Sequence, residues 1–351
     1  MTATTSAVTL EEKLENLEEI LRSLGRVLVG YSGGVDSAML AVAAHRVLGD
    51  DAIAVTAVSE SLGTGELEAA ADICKQFGIR HEVLNTHELE NPEYAQNPSN
   101  RCYFCKQALL TEMEQLAHDL EIPHVIYGQN ADDEDDFRPG AQAAKERGAR
   151  APLAEVGITK DEIRQLARSW DIPVWNRPAM ACLSSRFPYG TTITAEGLRM
   201  VDRAEHYLRD VCGFAQMRTR HHVDIARIEL PSEDLSHFLG DDAMRTHLLA
   251  EFADIGFERT SVDLRGFRSG SMNEVLIQVD LGEVDIPKQV DHILVDLELG
   301  PAEWEQREQM LVLQLSEAAF PRLADAAFRL RIVERLENLD LHYIALNLQP
   351  L

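Results

Sequence analysis

A six-residue segment, Ser-Gly-Gly-Val-Asp-Ser at positions 32–37, has the composition of an anion-binding turn. Gly33 and Gly34 allow positive φ angles and close backbone approach, and a helix that starts after them would present free N–H groups to a phosphate. The serines at both ends supply hydroxyl donors, and Asp36 is a candidate ligand for Mg²⁺. The Gly-Lys-Ser/Thr ending of a kinase-type phosphate loop is missing. The segment therefore predicts a pyrophosphate cradle; the alternative is an ordinary strand-to-helix turn.

Cys182 lies in a loop whose other residues suit a reactive thiol. The loop, residues 177–190, is bounded by proline and glycine, and two serines and Arg186 follow Cys182. A nearby cation and hydroxyl donors stabilise the thiolate, which is the nucleophilic form of cysteine. We therefore interpret Cys182 as the catalytic residue. The alternative is a small buried apolar side chain, a common role for a free cysteine.

Cys102 and Cys105 form a C-x-x-C pair at the start of a predicted helix. Such a pair is typical of a redox site or of half a metal site, and the sequence has no second pair to complete a four-cysteine zinc site. Together with Cys182, the pair would supply three thiolates to a 4Fe-4S cluster and leave one iron open to another ligand. The alternative is two cysteines at a helix start without a metal.

Arg218 and Arg220 belong to the segment Arg-Thr-Arg-His-His, which we predict to be a strand. Side chains two residues apart in a strand point to the same face, so the two guanidinium groups converge on one patch. Such a pair suits the recognition of a phosphate or a carboxylate. A face of surface salt bridges is the alternative.

Charge and composition narrow the class of protein. With 33 basic and 59 acidic residues, the formal net charge is −26, which repels nucleic-acid phosphates and disfavours a nucleic-acid substrate. Five cysteines among 351 residues argue against a disulfide framework and favour a reducing compartment. No run approaches the ~20 apolar residues of a membrane helix, and the N-terminus lacks the order of a signal peptide. We therefore expect a cytoplasmic protein that makes no membrane contact.

The order of the predicted elements favours a parallel sheet in the first half of the chain. Short apolar runs at 26–31, 52–58 and 124–127 alternate with helical stretches of ten or more residues. This alternation is typical of an α/β fold with helices on both faces of the sheet. We also expect Thr64 to cap a helix, and Thr159 to open a capping box.

A change in element order near residue 190 predicts a second domain. Beyond it come a helix, two alternating strands, a single helix over about 233–252 and another strand, which together indicate a smaller α+β domain. We therefore divide the chain into 1–190, 191–274 and an acidic extension, 275–351, for which the sequence indicates no role. No internal repeat is evident in the sequence.

The turn at 32–37 resembles the PP-loop of the adenylating ATP pyrophosphatases, a superfamily that includes NAD synthetases, GMP synthetases and tRNA thiolases. This resemblance implies a Rossmann-like sheet of the adenine nucleotide alpha hydrolase-like kind, and cleavage of ATP between its α and β phosphates. Three further segments, PAMACLSSRFPYG, RTRHH with DIARIEL, and LRGFRSGSMNE, are similar to those of the LarE family over about residues 15–275. That family implies an ATP-dependent sulfurtransferase of nickel-pincer nucleotide biosynthesis.

The LarE resemblance implies a reaction and its partners. With ATP and Mg²⁺, a pyridinium biscarboxylic acid mononucleotide is adenylated, sulfur displaces AMP, and a thiocarboxylate forms. The sulfur comes either from Cys182, which becomes dehydroalanine, or from a sulfide bound to a 4Fe-4S cluster; the presence of Cys102 and Cys105 favours the cluster. The resemblance also implies a homo-oligomer assembled through the smaller domain, and a downstream nickel-insertion enzyme.

Residue roles implied by the resemblance fall on the segments already described. Asn130, after a predicted strand, is expected near the nucleotide, and Glu205 is expected in the pocket of the substrate-binding arginines. For pyrophosphate and Mg²⁺ the residues are Ser32, Gly33, Gly34, Asp36 and Ser37, and for the substrate phosphate or carboxylate they are Arg186, Arg218 and Arg220.

Three other functions fit part of the pattern. A tRNA thiolase of the same superfamily would also use three cysteines, but the acidic balance opposes it. An ammonia-dependent amide synthetase would need no cysteine. A regulator that only binds nucleotide would release no pyrophosphate.

Overall fold

The computed structural model describes residues 8–133, 139–178, 181–268, 270–276, 286–339 and 341–351. The chain folds into two compact units, Met1–Cys182 and Leu183–Leu351. The division therefore follows Cys182, whereas the sequence placed a domain boundary at residue 190. The intervening segment belongs to the second unit because Arg186 forms a buried ion pair with Glu205 there.

The first unit is a four-stranded parallel sheet flanked by helices, which confirms the predicted α/β fold. Its strands, in the spatial order β3-β2-β1-β4, are β1 (Val27–Gly30), β2 (Ala52–Val58), β3 (Arg80–Asn85) and β4 (His124–Tyr127). Its helices are α1 (Leu10–Leu24), α2 (Val35–Leu48), α3 (Glu66–Phe77), α4 (Pro92–Ala95), α5 (Arg101–Asp119), α6 (Pro139–Glu146), α7 (Pro152–Glu155) and α8 (Lys160–Ser169).

The ends of two helices show how local sequence sets these elements. The side chain of Thr159 accepts from the backbone of Glu162, whose carboxylate in turn accepts from the backbone of Thr159, so the predicted capping box is confirmed. The cap expected at Thr64 is wrong. Helix α3 begins after Gly65, which has a φ of +83° and supplies no side-chain cap.

The second unit is built on a six-stranded mixed sheet, in the order β5-β6-β7-β10-β9-β8. Its strands are β5 (Arg218–His222), β6 (Ile225–Glu229), β7 (Arg259–Asp263), β8 (Ala302–Arg307), β9 (Met310–Leu315) and β10 (Tyr343–Asn347). Its helices are α9 (Ala195–Asp210), α10 (Ser232–Gly240), α11 (Asp242–Ile255), α12 (Ile286–Asp296), α13 (Phe320–Leu323) and α14 (Ala326–Leu336).

Two features of this unit differ from the sequence-based expectation. The single helix expected over about 233–252 is two helices, because Asp241 is extended and its carboxylate accepts from the backbone N–H of Met244 to start α11. Residues 286–339 and 341–351 are not separate from the domain before them. Their strand β10 pairs antiparallel with β7 and parallel with β9, so their apolar residues share one core with those of β6 and β7.

None of the helices in the described parts of the chain combines the length and the apolar character needed to cross a membrane.

Candidate active site

The glycine turn that follows β1 has the backbone geometry of an anion cradle. Gly33 has a φ of +74°, a conformation that residues with a Cβ rarely adopt. Gly34 then caps α2 without any side-chain hydrogen bond to the helix end. The first N–H groups of α2, together with the helix dipole, are therefore oriented to favour a phosphate. The strand-turn-helix context predicted for the segment is confirmed.

Ser32 and Ser37 lie side by side at the two ends of this turn. Their Oγ atoms are 3.1 Å apart. The backbone N–H of Ser32 donates to Ser37 Oγ at 3.2 Å, and Ser37 Oγ donates to the carbonyl of Gly34 at 3.1 Å. The fold thus brings together the two hydroxyl groups that the sequence suggested as phosphate donors.

Gly128 lets the loop after β4 approach the start of α2. A Cβ atom at this position would lie 2.7 Å from the backbone nitrogen of Ser37 and 2.8 Å from its Cα atom. Since β1 and β4 are neighbouring parallel strands, the loops that follow them meet at one edge of the sheet. Strand β1 has β2 on one side, to which the chain continues, and β4 on the other. In open parallel sheets, ligands bind in the crevice outside the carboxyl ends of the strands at such a point.

A cavity of about 440 Å³ lies at this edge of the sheet, a size typical of small-molecule sites. The glycine turn, the loop after β4, the start of α8 and the segment before Cys182 all contribute to its wall. Asn130, which the sequence placed near the nucleotide, is among its lining residues. The lining residues are Ser32, Gly34, Val35, Asp36, Asn130, Asp132, Asp133, Lys160, Arg177 and Pro178.

Lys160 and Asp36 form an ion pair inside this cavity, with Lys160 Nζ 2.6 Å from Asp36 Oδ2. The other oxygen, Oδ1, is buried and has no hydrogen-bond partner within the described residues. A buried carboxylate oxygen without a donor is costly unless a cation or water occupies the site. Asp36 therefore fits the role of a Mg²⁺ ligand. The sequence analysis missed Lys160, whose local signal indicates only a helix start.

The loops that line the cavity are fixed by their own hydrogen bonds. Asp132 accepts from the backbone N–H of Lys160 at 2.8 Å, and its own N–H donates to Asn130 Oδ1 at 3.0 Å. Arg177 donates to Glu66 of α3 at 2.7 Å. The loop that leads toward Cys182 is thereby anchored at the cavity wall, at Arg177.

The three cysteines proposed for a cluster interact electrostatically within the first unit. Cys102 and Cys182 are exposed, and Cys105 is partly buried. Burial raises the pKa of the Cys105 thiol, and its neighbours Cys182, Glu88 and Cys102 raise it further. Cys105 is thus a neutral thiol at neutral pH, and three thiolates at this place would need a cation among them. Cys102 and Cys182 thus both act on the pKa of Cys105, although Cys182 is far from it in sequence.

The cysteine group is not arranged as a finished metal site. Within the described ranges, no group of three or more His, Cys, Asp and Glu side chains has a geometry that holds a metal ion. Sulfur ligands suit an iron–sulfur cluster chemically, so a cluster would require the side chains of Cys102, Cys105 and Cys182 to move together. Lys106 lies beside them, and its ammonium is 5.0 Å from the centre of the Tyr127 ring.

The three arginines predicted to bind substrate lie in one cluster of the second unit. Arg186 makes two hydrogen bonds to Glu205, at 2.9 and 2.7 Å, and both residues are buried. Arg220 donates to Glu229 at 2.6 Å. Burial, followed by the positive charge of Arg186 and then that of Arg220, lowers the pKa of Arg218 to about 10. The cluster therefore favours an anion near Arg218.

A second layer of charged residues, absent from the sequence-based site, lies behind Arg220. Arg227 and Asp263 form a fully buried ion pair, and Arg227 also reaches Glu229 at 3.1 Å. The ring of Tyr343, from β10, lies 3.9 Å from the Arg227 guanidinium. No local pattern identifies this group, because its members come from β6, β7 and the C-terminal segment.

Comparisons with known proteins agree with this architecture. A family model described as NAD synthase matches residues 9–100. An uncharacterized protein of Synechocystis is 49% identical over 267 residues, which are 76% of this chain and 99% of that protein. The pyridinium-3,5-bisthiocarboxylic acid mononucleotide synthase of Lactiplantibacillus plantarum is 36% identical over 274 residues, which are 78% of this chain and 98% of the synthase. The glutamine-hydrolyzing GMP synthase of Rippkaea orientalis is 27% identical over 226 residues, 56% of this chain and 41% of that enzyme.

The parallel sheet with a glycine cradle at the start of α2 places the first unit among the PP-loop ATP pyrophosphatases, which use ATP to adenylate a substrate. The match to the L. plantarum synthase extends over nearly all of that enzyme and so includes part of the second unit. The chain belongs to the LarE family of ATP-dependent sulfurtransferases.

Proposed function

We propose that this protein uses ATP to adenylate a carboxylate of a pyridinium biscarboxylic acid mononucleotide and then transfers sulfur to it, giving a thiocarboxylate. The proposal rests on the cavity that joins the glycine turn to Asp36 and Lys160. The name of the L. plantarum relative supports the choice of substrate. The product class is a precursor of the nickel-pincer nucleotide cofactor.

The cavity residues divide the adenylation chemistry between them. The N–H groups at the start of α2 and the hydroxyls of Ser32 and Ser37 bind the β and γ phosphates, and so stabilise the charge that builds on the leaving pyrophosphate. Lys160 is the cation positioned to contact a phosphate in the same cavity. Mg²⁺, held by Asp36, neutralises phosphate charge when it is bound. Asn130 lies where the loop after β4 meets the nucleotide.

Cys182 is the proposed site of sulfur transfer in the sacrificial route. Its Sγ attacks the acyl carbon of the adenylate, AMP leaves, and a thioester forms. A base then removes the α-proton of Cys182, the Cβ–Sγ bond breaks, and the sulfur stays with the acyl group as a thiocarboxylate. Dehydroalanine remains at position 182, so this route gives one turnover per chain.

The alternative sulfur source uses Cys102, Cys105 and Cys182 as ligands of a 4Fe-4S cluster, which supplies a labile sulfide when it is bound. Burial raises the pKa of Cys105, and Cys182 and Cys102 raise it further, which supports this route because bound iron would stabilise the thiolate form. We favour the cluster route. Under it, Cys182 survives the reaction as a thiolate.

The arginine cluster of the second unit is the proposed site for the phosphate or carboxylate of the mononucleotide. Arg186 and Arg220 are already paired with Glu205 and Glu229. Burial first, and then the charges of Arg186 and Arg220, lower the pKa of Arg218, so an anion bound beside it would stabilise its charged form. Glu205 serves here as the partner of Arg186.

Three variants test the function and separate the sulfur sources. Cys182→Ala should still release pyrophosphate from ATP and substrate but form no thiocarboxylate; formation of an amide from ammonia, unchanged by this substitution, would instead favour an amide synthetase. Cys102→Ala, purified without oxygen, should lose iron and sulfide under the cluster route and keep full single-turnover activity under the sacrificial route. Cys212→Ala, which lies after α9 in the second unit and outside this group, is the matched control.

The remaining alternatives make different predictions with the unmodified protein. A tRNA thiolase would bind tRNA with an affinity that falls as salt is added. A regulator that only binds nucleotide would release no pyrophosphate with any carboxylate. Thiocarboxylate formation from the mononucleotide excludes both.

Two proposed partners rest on the resemblance alone. We infer that the protein forms a homo-oligomer and that a nickel-insertion enzyme receives its product. The mass of the native assembly in solution tests the first. Nickel incorporation by a cell extract, with and without the purified thiocarboxylate product, tests the second.

A further inference from the structure

The second unit repeats one order of elements twice. In both halves a helix precedes a two-stranded antiparallel hairpin, two helices follow it, and the last strand returns parallel to the second strand of its own hairpin. The first set, residues 195–264, is α9-β5-β6-α10-α11-β7 and is called the N-module. The second set, residues 286–348, is α12-β8-β9-α13-α14-β10 and is called the C-module. Neither composition nor motif shows this repeat.

The turns of the two hairpins correspond in detail. Val223 and Glu308, which are not glycines, both adopt positive φ angles, of 62° and 52°, at the same place in their turns. The residue after each one bonds to the start of the returning strand. Arg259 N–H donates to the carbonyl of Asp224 at 3.2 Å. In the C-module, the N–H of Tyr343 donates to the carbonyl of Gln309 at 3.1 Å. Two-residue hairpin loops favour a positive φ at their first residue, so the two modules share the turn geometry as well as the order of their elements.

The buried arginines of the crossover helices also correspond. Arg245 follows the helix cap Asp241, and Arg329 follows the helix cap Asp325, at the same spacing. Arg245 donates to the carbonyl of Leu239 at 2.5 Å. Arg329 donates to the carbonyl of Leu323 at 2.6 Å. The two modules thus share a cap, a buried cation and its backbone acceptor.

These arginines also reach across to the opposite module, one to a carboxylate and the other to a backbone carbonyl. Arg245 of the N-module donates to Glu317 of the C-module at 2.7 Å. Arg329 of the C-module donates to the carbonyl of Ser232 of the N-module at 3.0 Å. Glu317 and Ser232 both lie at the start of the helical segment after the hairpin. Reciprocal contacts of this kind are the mark of a two-fold interface between like copies.

The two-fold axis passes through the pairing of β7 with β10. Val262 pairs with Leu346, which is its own counterpart in the C-module. On either side the backbone bonds are reciprocal. Leu264 N–H donates to the carbonyl of Ile344 at 2.8 Å, and Leu348 N–H donates to the carbonyl of Thr260 at 2.9 Å. A pair of identical strands related by a dyad would make the same contacts.

The two modules differ where the arginine cluster lies. The hairpin registers place Glu303 and Glu305 at the positions of Arg218 and Arg220. The C-module has therefore kept the turn, the cap and the buried arginine that shape the fold, and has acidic residues in place of the anion-binding arginines. One chain then carries one arginine cluster in a two-module unit.

We propose that the C-module is an internal copy of the N-module that occupies, at the β7 edge, the place of a second copy of this chain. The Synechocystis and L. plantarum relatives match over nearly their whole length, yet those matches cover only 76% and 78% of this chain, which leaves about the length of the C-module without a counterpart. An edge strand with free N–H and C=O groups pairs readily with another chain. Here β10 closes that edge within the chain.

The experiment uses the full chain with a substitution that releases β10. Leu346 is fully buried in the centre of the sheet, so Leu346→Asp should undock the C-module and expose β7. The released edge should then pair with β7 of a second chain, which doubles the mass of the assembly in light scattering. Leu330→Asp, at an exposed position of the same module, is the control and should leave the mass unchanged.

Hydrogen exchange of the Leu264 amide identifies the surface used. In the doubled assembly this amide should stay protected, and dilution to the smaller species should expose it, since its acceptor Ile344 has been displaced. A folded Leu346→Asp variant with unchanged mass, or a larger assembly in which the Leu264 amide exchanges freely, would overturn the proposal. If that variant precipitates, the milder Leu346→Ala is measured instead in the full chain, and a folded variant of unchanged mass whose Leu264 amide exchanges freely refutes the inference.

Discussion

Lys160 donates to Asp36 across 124 residues of sequence, at 2.6 Å, and the two form an ion pair in the wall of the cavity beside the glycine turn. The two side chains have separate uses once a nucleotide is present. Lys160 can turn to a phosphate, and Asp36 can then hold Mg²⁺ with the oxygen that has no hydrogen-bond partner among the described residues. The ion pair thus holds both charges at the wall of the cavity.

Replacement of Lys160 by alanine should weaken ATP binding while leaving the fold intact. Loss of a charge-assisted hydrogen bond costs about 1.5–3 kcal/mol, which corresponds to a rise of about 10- to 100-fold in KM for ATP. Pyrophosphate release at varied ATP concentration measures the effect. Lys13→Ala, which removes the ion pair between Lys13 and Glu162, is the control. An equal KM in the two variants would contradict a phosphate-binding role.

A methyl group at position 128 should damage the nucleotide site through the backbone. In Gly128→Ala the new Cβ would approach the backbone nitrogen of Ser37 to 2.7 Å, so either the loop or the start of α2 must shift. We expect a loss of about 1–3 kcal/mol in the free energy of unfolding, together with a higher KM for ATP. Gly30→Ala, whose Cβ would meet its nearest neighbour at an ordinary 3.6 Å, is the matched control. Denaturant titration and pyrophosphate release check both effects.

Substrate binding should weaken in alkaline solution because of Arg218. Its pKa, lowered to about 10 by burial and by the neighbouring arginines, leaves it charged at neutral pH and neutral above about pH 10. The affinity for the mononucleotide should therefore be level from about pH 7 to 9 and fall as the pH passes 10. Titration calorimetry across this range tests it. Arg218→Gln should bind more weakly at pH 7 and lose the alkaline fall; a fall that persists in this variant assigns the titration to another group.

The capping box at the start of α8 should make the free energy of unfolding depend on pH in acid solution. Burial raises the pKa of Glu162, but the hydrogen bonds from Lys13 and from the backbone of Thr159 outweigh it, so the net pKa is lowered from its usual 4.5. A lowered carboxylate pKa gives stability that is present above pH 4.5 and is lost as the pH falls through the folded-state value. Glu162→Gln should therefore cost about 1 kcal/mol at pH 7. Its deficit relative to the unmodified protein should shrink in acid, and a deficit that stays constant would exclude the carboxylate charge as the cause.

Local chemistry was enough to predict the strand, turn and helix that form the glycine cradle of the first unit. The apolar run of β1, the two glycines after it and the helix from Val35 follow one another without a gap, and each depends only on its neighbours in sequence. The cap at Thr159 is of the same kind, since a hydroxyl and a carboxylate three residues apart suffice. The prediction was wrong at the start of α3. Thr64 and Gly65 were both available as the cap, and the helix begins after Gly65, which has a positive φ.

The structural repeat in the second unit could not be predicted from a sequence pattern. The repeat of the two modules is hidden because the residues that fix it, such as Val223 with Glu308 and Asp241 with Asp325, agree in backbone conformation and capping more than in residue type. Apolar side chains of similar volume replace one another in a core with little penalty. Two copies of a module therefore diverge in sequence while their fold is retained.

By itself, the sequence determined the class of chemistry: a phosphate cradle, a set of three cysteines and a pair of arginines on one strand face. The tertiary structure alone decided which distant groups meet, namely Lys160 with Asp36 and the C-terminal strand β10 with β7. The reason is physical: short-range propensities act over a few residues, whereas charge pairing and edge closure depend on where whole strands and helices pack, which is set by burial across the entire core.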